Sequence, residues 1–473
     1  FFCGHNRAFH LDDRPSGTMH IFLLVFSFMF WVIRPSKSLM LAYAPILREL
    51  ERSVDRYAAL RSREEVAAYL RTLATQRRDE AVFVLGNRLF AFRKFLGASK
   101  NRRHAGHVLS TLQTKTVANV AYAFVKDSTG NATDAAFPFA AISKKRGYGA
   151  AGILVPNPFF ADPSGNLSWW ERRKEVRRAT TATGQARAQT PYGDRRVFWR
   201  GNLGHHEDDC ERDEGNFARF DAIALTLEHA GEFDVKCNKC VPNNRSCHGP
   251  YDAAMRHLVD VNFAPCYDQK WYDPFRDYPT YRALLNLPGT TAGGYSRNLN
   301  VLWLLGRVVF FWEAPFVEFY WPALVPGLTH LVVNRTTALR AYRSLDDVSS
   351  EGGGTVEATL VRGARLVAEH LVCGECLRRF FVDFFLALRR RFRLGLILDT
   401  TRSNDDDGNV ERLAAIFDSA GVDCARDFLE IVAAPSASHK KSGGARLVET
   451  PVVAFSADEK PNCLGVFRSI SLT

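Results

Sequence analysis

The segment that most limits what this chain can fold into runs from Tyr281 to Val333. Within it, residues 284–287 form a mostly apolar run that stops at Pro288-Gly289, and the small residues Thr290, Thr291, Ala292, Gly293 and Gly294 follow. Ser296 and Arg297 then open an apolar, helix-like segment to Leu305. Gly306 ends it, and Val308–Trp312 reads as a buried strand. Strand, small-residue loop, helix, strand is a unit that turns backbone N–H groups and a helix N-terminus toward a phosphate. By itself the pattern points to an α/β protein that binds a nucleotide.

The rest of the chain sets the scale. Its 473 residues are 46% hydrophobic, enough for a sizeable core and for two or three domains. The net charge of +11 favours anionic partners (nucleic acid, a membrane surface or a nucleotide-sugar diphosphate), with a generally basic surface as the plain alternative. The densest basic run, Arg389-Arg390-Arg391 with Arg393, lies beside Phe384, Phe385 and Leu388, which suits an amphipathic helix with a solvated face. Ten cysteines include Cys237-x2-Cys240-x6-Cys247 and Cys373-x2-Cys376. No paired histidines stand at finger spacing, so disulfides in an oxidising lumen are expected ahead of zinc. Sequons at Asn131, Asn166, Asn244 and Asn334 agree with that compartment. Residues 21–33 are apolar and precede Arg34, Pro35 and Lys37; the run is shorter than the roughly 20 residues that span a bilayer. Secretory targeting to the endoplasmic reticulum or Golgi lumen is therefore expected, through a signal peptide or a membrane anchor within residues 1–43.

Taken in order, residues 44–75 read as helical, with Leu47, Leu50, Val54 and Tyr57 on one face. Residues 44–80 would form a helical stem. Two β-rich runs flank Gly86-Asn87, a hairpin signal. Residues 117–125 form an apolar strand that ends at Lys126-Asp127-Ser128. An acid just past the carboxyl end of a buried strand sits where α/β sheets place ligands, although a turn residue is the commoner case. Asn157-Pro158-Phe159-Phe160 and Trp169-Trp170 offer rings for stacking on sugars or for core packing. Phe217, Phe220, Ile223, Ala224 and Leu227 make a helical core stripe. The cluster from His205 to Asp209 reads as an irregular loop ahead of a metal site. Two helical runs are expected near residues 355–370 and 376–392, and the acidic run at 404–408 as a solvated loop.

Several blocks together carry a resemblance. The LNxxGTTA run, the Ser296-Arg297 helix start, the LGxVVF strand and the EFYxPALxPxxxHLV segment resemble the C-terminal half of the family 90 glycosyltransferases. That family holds the Rumi-like protein O-glucosyltransferases and the capsule-associated xylosyltransferases. Val197-Phe198-Trp199-Arg200-Gly201-Asn202 is similar to its FWRGS element, with Asn202 where serine is usual, and residues 139–145 are similar to its FSFSKT run. The resemblance spans residues 81–392. Three departures stand out: the Asp-Tyr-Pro or Asp-x-Pro continuation after Asp127 is absent, the loop from Asn202 to Cys210 is longer, and the order Ser296-Arg297-Asn298 is rearranged.

The resemblance implies a GT-B fold, two Rossmann-like α/β lobes with a cleft between them. Residues 81–195 would form the acceptor-side lobe and 196–394 the nucleotide-sugar lobe with closing helices, leaving 395–473 as an extension without an assigned role. It implies inverting transfer of glucose or xylose from UDP-glucose or UDP-xylose to a protein serine or a glycan. Asp127 would be the general base. Donor contacts would come from Arg200, Gly201, Asn202, Arg212 (with Arg219 second), Gly289, Thr290, Thr291, Ala292, Ser296 and Arg297. Glu318 would fix nucleotide or sugar hydroxyls, or else form a structural salt bridge. No metal, further cofactor or nucleic-acid partner is expected. Two other readings remain open: a catalytically weak secreted carbohydrate- or protein-binding module on the same scaffold, and a basic, zinc-stabilised nucleic-acid binder.

Overall fold

The computed structural model describes residues 37–126, 137–146, 152–160, 193–202, 213–239, 268, 270, 272, 276–289, 299–314, 316–349, 354–398, 406–433, 447–451 and 463–464. The protein is mixed α/β, with two large sheets that both contain parallel strands. The expected 44–75 helix is two helices, α1 (Lys37–Asp55) and α2 (Arg63–Thr75). They divide because Ser62 and Glu65 form a capping box, which starts a second helix instead of continuing the first. Arg391 donates to the carbonyls of Asp55 (2.8 Å) and Tyr57 (2.6 Å), and Arg393 to that of Arg61 (3.1 Å). Part of the basic run thus satisfies backbone at the helix break, where the sequence suggested only a solvated face.

The hairpin forms as expected, β1 (Ala81–Leu85) pairing with β2 (Arg88–Phe92). Gly86 and Asn87 both have positive φ, 55° and 62°, as a two-residue turn matched to the strand twist requires. After α3 (Ser99–Leu112) come β3 (Val120–Val125), β4 (Phe139–Ala141), β5 (Lys144–Lys145) and β6 (Ile153–Leu154). The chain continues through β7 (Asp194–Asn202), α4 (Asp213–Glu228), β8 (Phe233–Lys239), β9 (Tyr281–Asn286), β10 (Val308–Trp312), β11 (Phe316–Val317) and β12 (Leu331–Val333). It closes with α5 (Val356–His370), α6 (Gly374–Arg391), α7 (Asp406–Ser419), β13 (Phe428–Ala433) and β14 (Leu447–Pro451).

The first sheet has the order β14-β13-β2-β1-β3-β4-β6. Its β3, β4 and β6 run parallel, and its other neighbours pair antiparallel. Residues after 395 are part of it. β13 pairs with β2, Phe417 and Phe428 pack on Phe83 and Phe92 with ring centroids 5.2–5.8 Å apart, and Cys424 is disulfide-bonded to Cys463. Asp406 begins α7, so the acidic run from that residue on is a first helical turn, where negative charge suits the helix N-terminus; the solvated-loop expectation is corrected there.

The second sheet has the order β12-β10-β9-β7-β8, and every pair in it is parallel. β9 and β10 are buried along their whole length, as parallel strands covered on both faces are. Between them lies a short helix, Leu299–Leu302, closed by Gly306 at φ 64°. The core stripe of α4 is shifted. Ala218, Ala222, Ile223 and Leu225 are buried, while Ala224 and Leu227 are only half-buried. The sequence misleads because small residues face the sheet; Phe217 and Phe220 have side chains outside the described set.

A first apolar core runs across both sheets, taking in Phe198, Leu284, Val309 and Phe311 of the second, and a second, smaller core lies on the other face of that second sheet. α5 starts against the second through Leu360 and ends against the first through Ala364 and Val367; α6 then packs on the first sheet, with Phe384 edge-on to Tyr122 at 5.2 Å. A second link is a two-strand pairing, Phe316 with Lys145 and Val317 with Lys144. Cys373 and Cys376 are disulfide-bonded to each other and Cys237 is also in a disulfide, so none of the three is a free thiolate for zinc. Among the described residues no helix is long and apolar enough to cross a membrane.

Candidate functional site

In the parallel sheet, counted along the chain from β7, the strand order is second, first, third, fourth, fifth. Strand order therefore reverses between β7 and β9, and open α/β sheets bind ligands in the crevice at such a switch point, beyond the carboxyl ends of the strands. β7 ends in Arg200-Gly201-Asn202, and β9 runs out through Asn286 to Pro288-Gly289. Two of the motif blocks picked from sequence thus flank one crevice. Arg219 on α4 reaches across it, donating to the Pro288 carbonyl at 2.8 Å and lying 5.8 Å from the Trp199 ring centroid. Gly201 is needed by its neighbour: a Cβ there would overlap the Trp199 indole.

Arg200 itself is committed elsewhere. It is 3% exposed, and Nη2 bonds Asp234 (2.9 Å) and Asp268 (3.0 Å) while Nη1 bonds the Asp234 carbonyl at 2.7 Å. Its guanidinium also lies 4.6 Å from the Phe198 ring centroid and 4.9 Å from that of Tyr272. Burial opposes its charge, but Asp234 and Tyr272 outweigh that and raise its pKa. These contacts give Arg200 a structural role, and they occupy the face with which it would clamp a phosphate.

Next to the crevice a cavity of ≈ 340 Å³ opens where the two halves meet. Ser143 and Arg146 line it from the first half; Asn286, Phe311, Trp312, Glu318, Trp321 and His330 line it from the second. Strand pairing connects this place to the end of β3, because Val125 pairs with Ala141, two residues before Ser143. Aromatic walls with a few polar groups suit a ring that carries hydroxyls.

Glu318 is the exceptional group in this cavity. It is 1% exposed, and neither carboxylate oxygen has a hydrogen-bond partner. The salt-bridge role allowed by the sequence is therefore absent. Burial pushes its carboxyl up to about 8, the Asn157 amide offsetting part of that, although the two fall short of hydrogen-bond geometry. Asn157 is held firmly: its Oδ1 accepts from the Phe159 N–H (2.9 Å), and its carbonyl is 3.3 Å from His107 Nε2. Its Nδ2 is left without a partner, as is Asn286 Oδ1. Buried polar atoms are rarely left unpaired in native proteins, so four at one seam (Glu318 Oε1 and Oε2, Asn157 Nδ2 and Asn286 Oδ1) mark a place built for something else to bind. His330, 2.9 Å from Thr329 Oγ1, is pushed down to about 4 by burial and is neutral.

Of the residues picked from sequence, Arg200, Gly201, Gly289 and Glu318 are described, as is the backbone of Asn202 at the end of β7. Asp127, Arg212, Thr290, Thr291, Ala292, Ser296 and Arg297 lie outside the described residues, as do Trp169, Trp170 and the cluster from His205 to Asp209. Phe159 and Phe160 are buried core, so they are not free to stack on a sugar. Sequence reasoning passed over Asn157, Asn286 and His330, each of which sits inside a block it had singled out for other residues. A polar residue inside an apolar block was the available signal. No family model matches this chain, and no curated protein does.

Proposed function

We propose that this protein is an inverting glycosyltransferase of the family 90 type, moving glucose or xylose from a UDP-sugar to a hydroxyl of a protein or glycan acceptor. One observation carries the reading: the FWRGN and LNLPG blocks end on the two sides of the switch point of an all-parallel sheet, beside a cavity shared with the other half. In this reading the two sheets, joined by a shared apolar core, α5 and the β5–β11 pairing, belong to the two lobes of a GT-B arrangement.

In this reading UDP occupies the crevice between β7 and β9. N–H groups around Gly289–Ala292, with Arg212 and Arg297, face the diphosphate, and Arg219 shapes that loop through Pro288. Asp127, two residues beyond the end of β3, takes the acceptor proton as the acceptor oxygen bonds to C1. The C1–O bond to the β-phosphate breaks, UDP leaves with the electron pair, and the anomeric centre inverts. No metal enters these steps, since arginine and backbone donors balance the charge. The disulfides and the net charge of +11 support a secretory-pathway location and an anionic donor.

The test is UDP release from a panel of UDP-sugars without added metal, in the wild type and Asp127→Asn. Release with UDP-glucose or UDP-xylose, falling at least a hundredfold in the variant while UDP still binds, is expected. UDP binding without turnover, with protein and glycan acceptors supplied, would make the protein a binding module on this scaffold. Absence of UDP binding would overturn the reading.

A further inference from the structure

The UDP crevice and the general base leave the cavity beside them unused, and its deepest polar group is a carboxyl with no partner. Glu318 directly follows β11, which pairs with β5, and Asn157 follows β6. Both therefore stand at the seam of the two halves and away from the β7–β9 crevice assigned to the nucleotide. An ionised carboxylate walled off from water would demand a cation or several donors, and the described residues supply neither. A neutral carboxylic acid has one O–H to donate and one C=O to accept, the pair of contacts that a sugar hydroxyl or vicinal diol makes.

We propose that Glu318, with the Asn157 amide beside it, reads the hydroxyls of the transferred sugar, and that it does so as a neutral carboxylic acid. The assignment rests on the glycosyltransferase reading and adds to it the group that recognises the sugar and the protonation state in which it does so. Its pKa, pushed up to about 8 by burial, agrees with a neutral side chain at pH 7. The charged and titratable groups around it are few. Tyr320, on its own segment, is pushed up by burial; His330 across the cavity and His107 behind Asn157 are pushed down to about 4. Lys144 from β5 is bonded to Glu49 (3.1 Å) and Ser53 (3.2 Å), with burial lowering its pKa. Arg146 is exposed at the rim, and Glu313 accepts from Asn334 at 3.0 Å. Because Lys144 also shifts, a variant at Glu318 must assign the titration.

The experiment is calorimetric binding of UDP-glucose, UDP-xylose and UDP at pH 7 and pH 9, with the wild type, Glu318→Gln and Glu318→Leu. UDP serves as the reference that lacks the sugar. In the wild type the affinity of the preferred UDP-sugar relative to UDP is expected to fall about tenfold from pH 7 to pH 9, as the acid ionises. Glu318→Gln keeps a donor and an acceptor and should hold the pH 7 ratio at both pH values. Glu318→Leu should lose the sugar's contribution at both while still binding UDP. A ratio that does not change with pH in the wild type, or that falls equally in Glu318→Gln, overturns the assignment while the transferase reading stands. So does a Glu318→Leu protein that matches the wild type. No binding of UDP by any form overturns both.

Discussion

Two buried charged side chains in this molecule have opposite surroundings. Arg200, at the end of β7, is enclosed by Asp234, Asp268, Tyr272 and Phe198, and its polar hydrogens meet carboxylates and carbonyls. Glu318, at the seam, is equally buried and, among the described residues, has no ion pair and only the Asn157 amide beside it. The first arrangement holds the sheet together. The second spends stability on a group that, among the described residues, has only the Asn157 amide beside it, as binding sites do. Burial alone would have classed the two together. Their partners separate them.

The sharpest way to break that contrast is to remove each group in turn. Arg200→Met takes from the buried Asp234 carboxylate its closest cation, leaving it Lys236 at 3.3 Å and the Tyr281 hydroxyl at 3.1 Å, and should cost about 3 kcal/mol in denaturant unfolding; a loss below about 1 kcal/mol would mean that the network is not structural. Glu318→Gln should instead gain stability as pH rises. The carboxyl's folded-state pKa is raised above its unfolded value, so the folded state holds the proton more tightly. Its contribution is then fully present below the unfolded value of 4.5 and is lost as pH rises toward about 8. The advantage of Glu318→Gln over wild type should grow by about 1.4 kcal/mol per pH unit in that window, on the order of 3 kcal/mol by pH 7, and then level off. Parallel stability curves for the two proteins would show that the carboxyl is ionised and satisfied. Gly201→Ala is the smallest change. It forces the Trp199 ring to move and should cost about 1–3 kcal/mol, with UDP affinity falling through the displaced Pro288 loop that Arg219 steadies. Unchanged unfolding and UDP binding would detach that glycine from the crevice.

Much of the architecture was readable from local chemistry. The Gly86-Asn87 hairpin, the strands β9 and β10 with their small-residue loop, and helices α5 and α6 all announce themselves through turn residues, buried apolar runs or caps. What was not readable is what depends on distant partners. β13 joins the first sheet beside β2, some 340 residues earlier, and no property of its six residues names that neighbour. On α4 the expected Ile223 is buried and Leu227 packs half-buried against the same core, but Ala218 and Ala222 are buried there too, and residues that small carry little periodic signal. The site divides in the same way. Motifs marked the ends of β7 and β9, whereas the engagement of Arg200 and the burial of Glu318 without an ion pair among the described residues are facts of packing that no short stretch of sequence carries.

The claim on which the account depends is that a UDP-sugar fills both the switch-point crevice and the seam cavity. Amide hydrogen exchange with and without UDP-glucose or UDP-xylose tests this directly. The account predicts slowed exchange in two separate segments, residues 284–289 at the end of β9 and just beyond it and residues 316–321 around Glu318, with UDP alone slowing only the first. Protection confined to neither segment, or no protection by any UDP-sugar at saturating concentration, would contradict it.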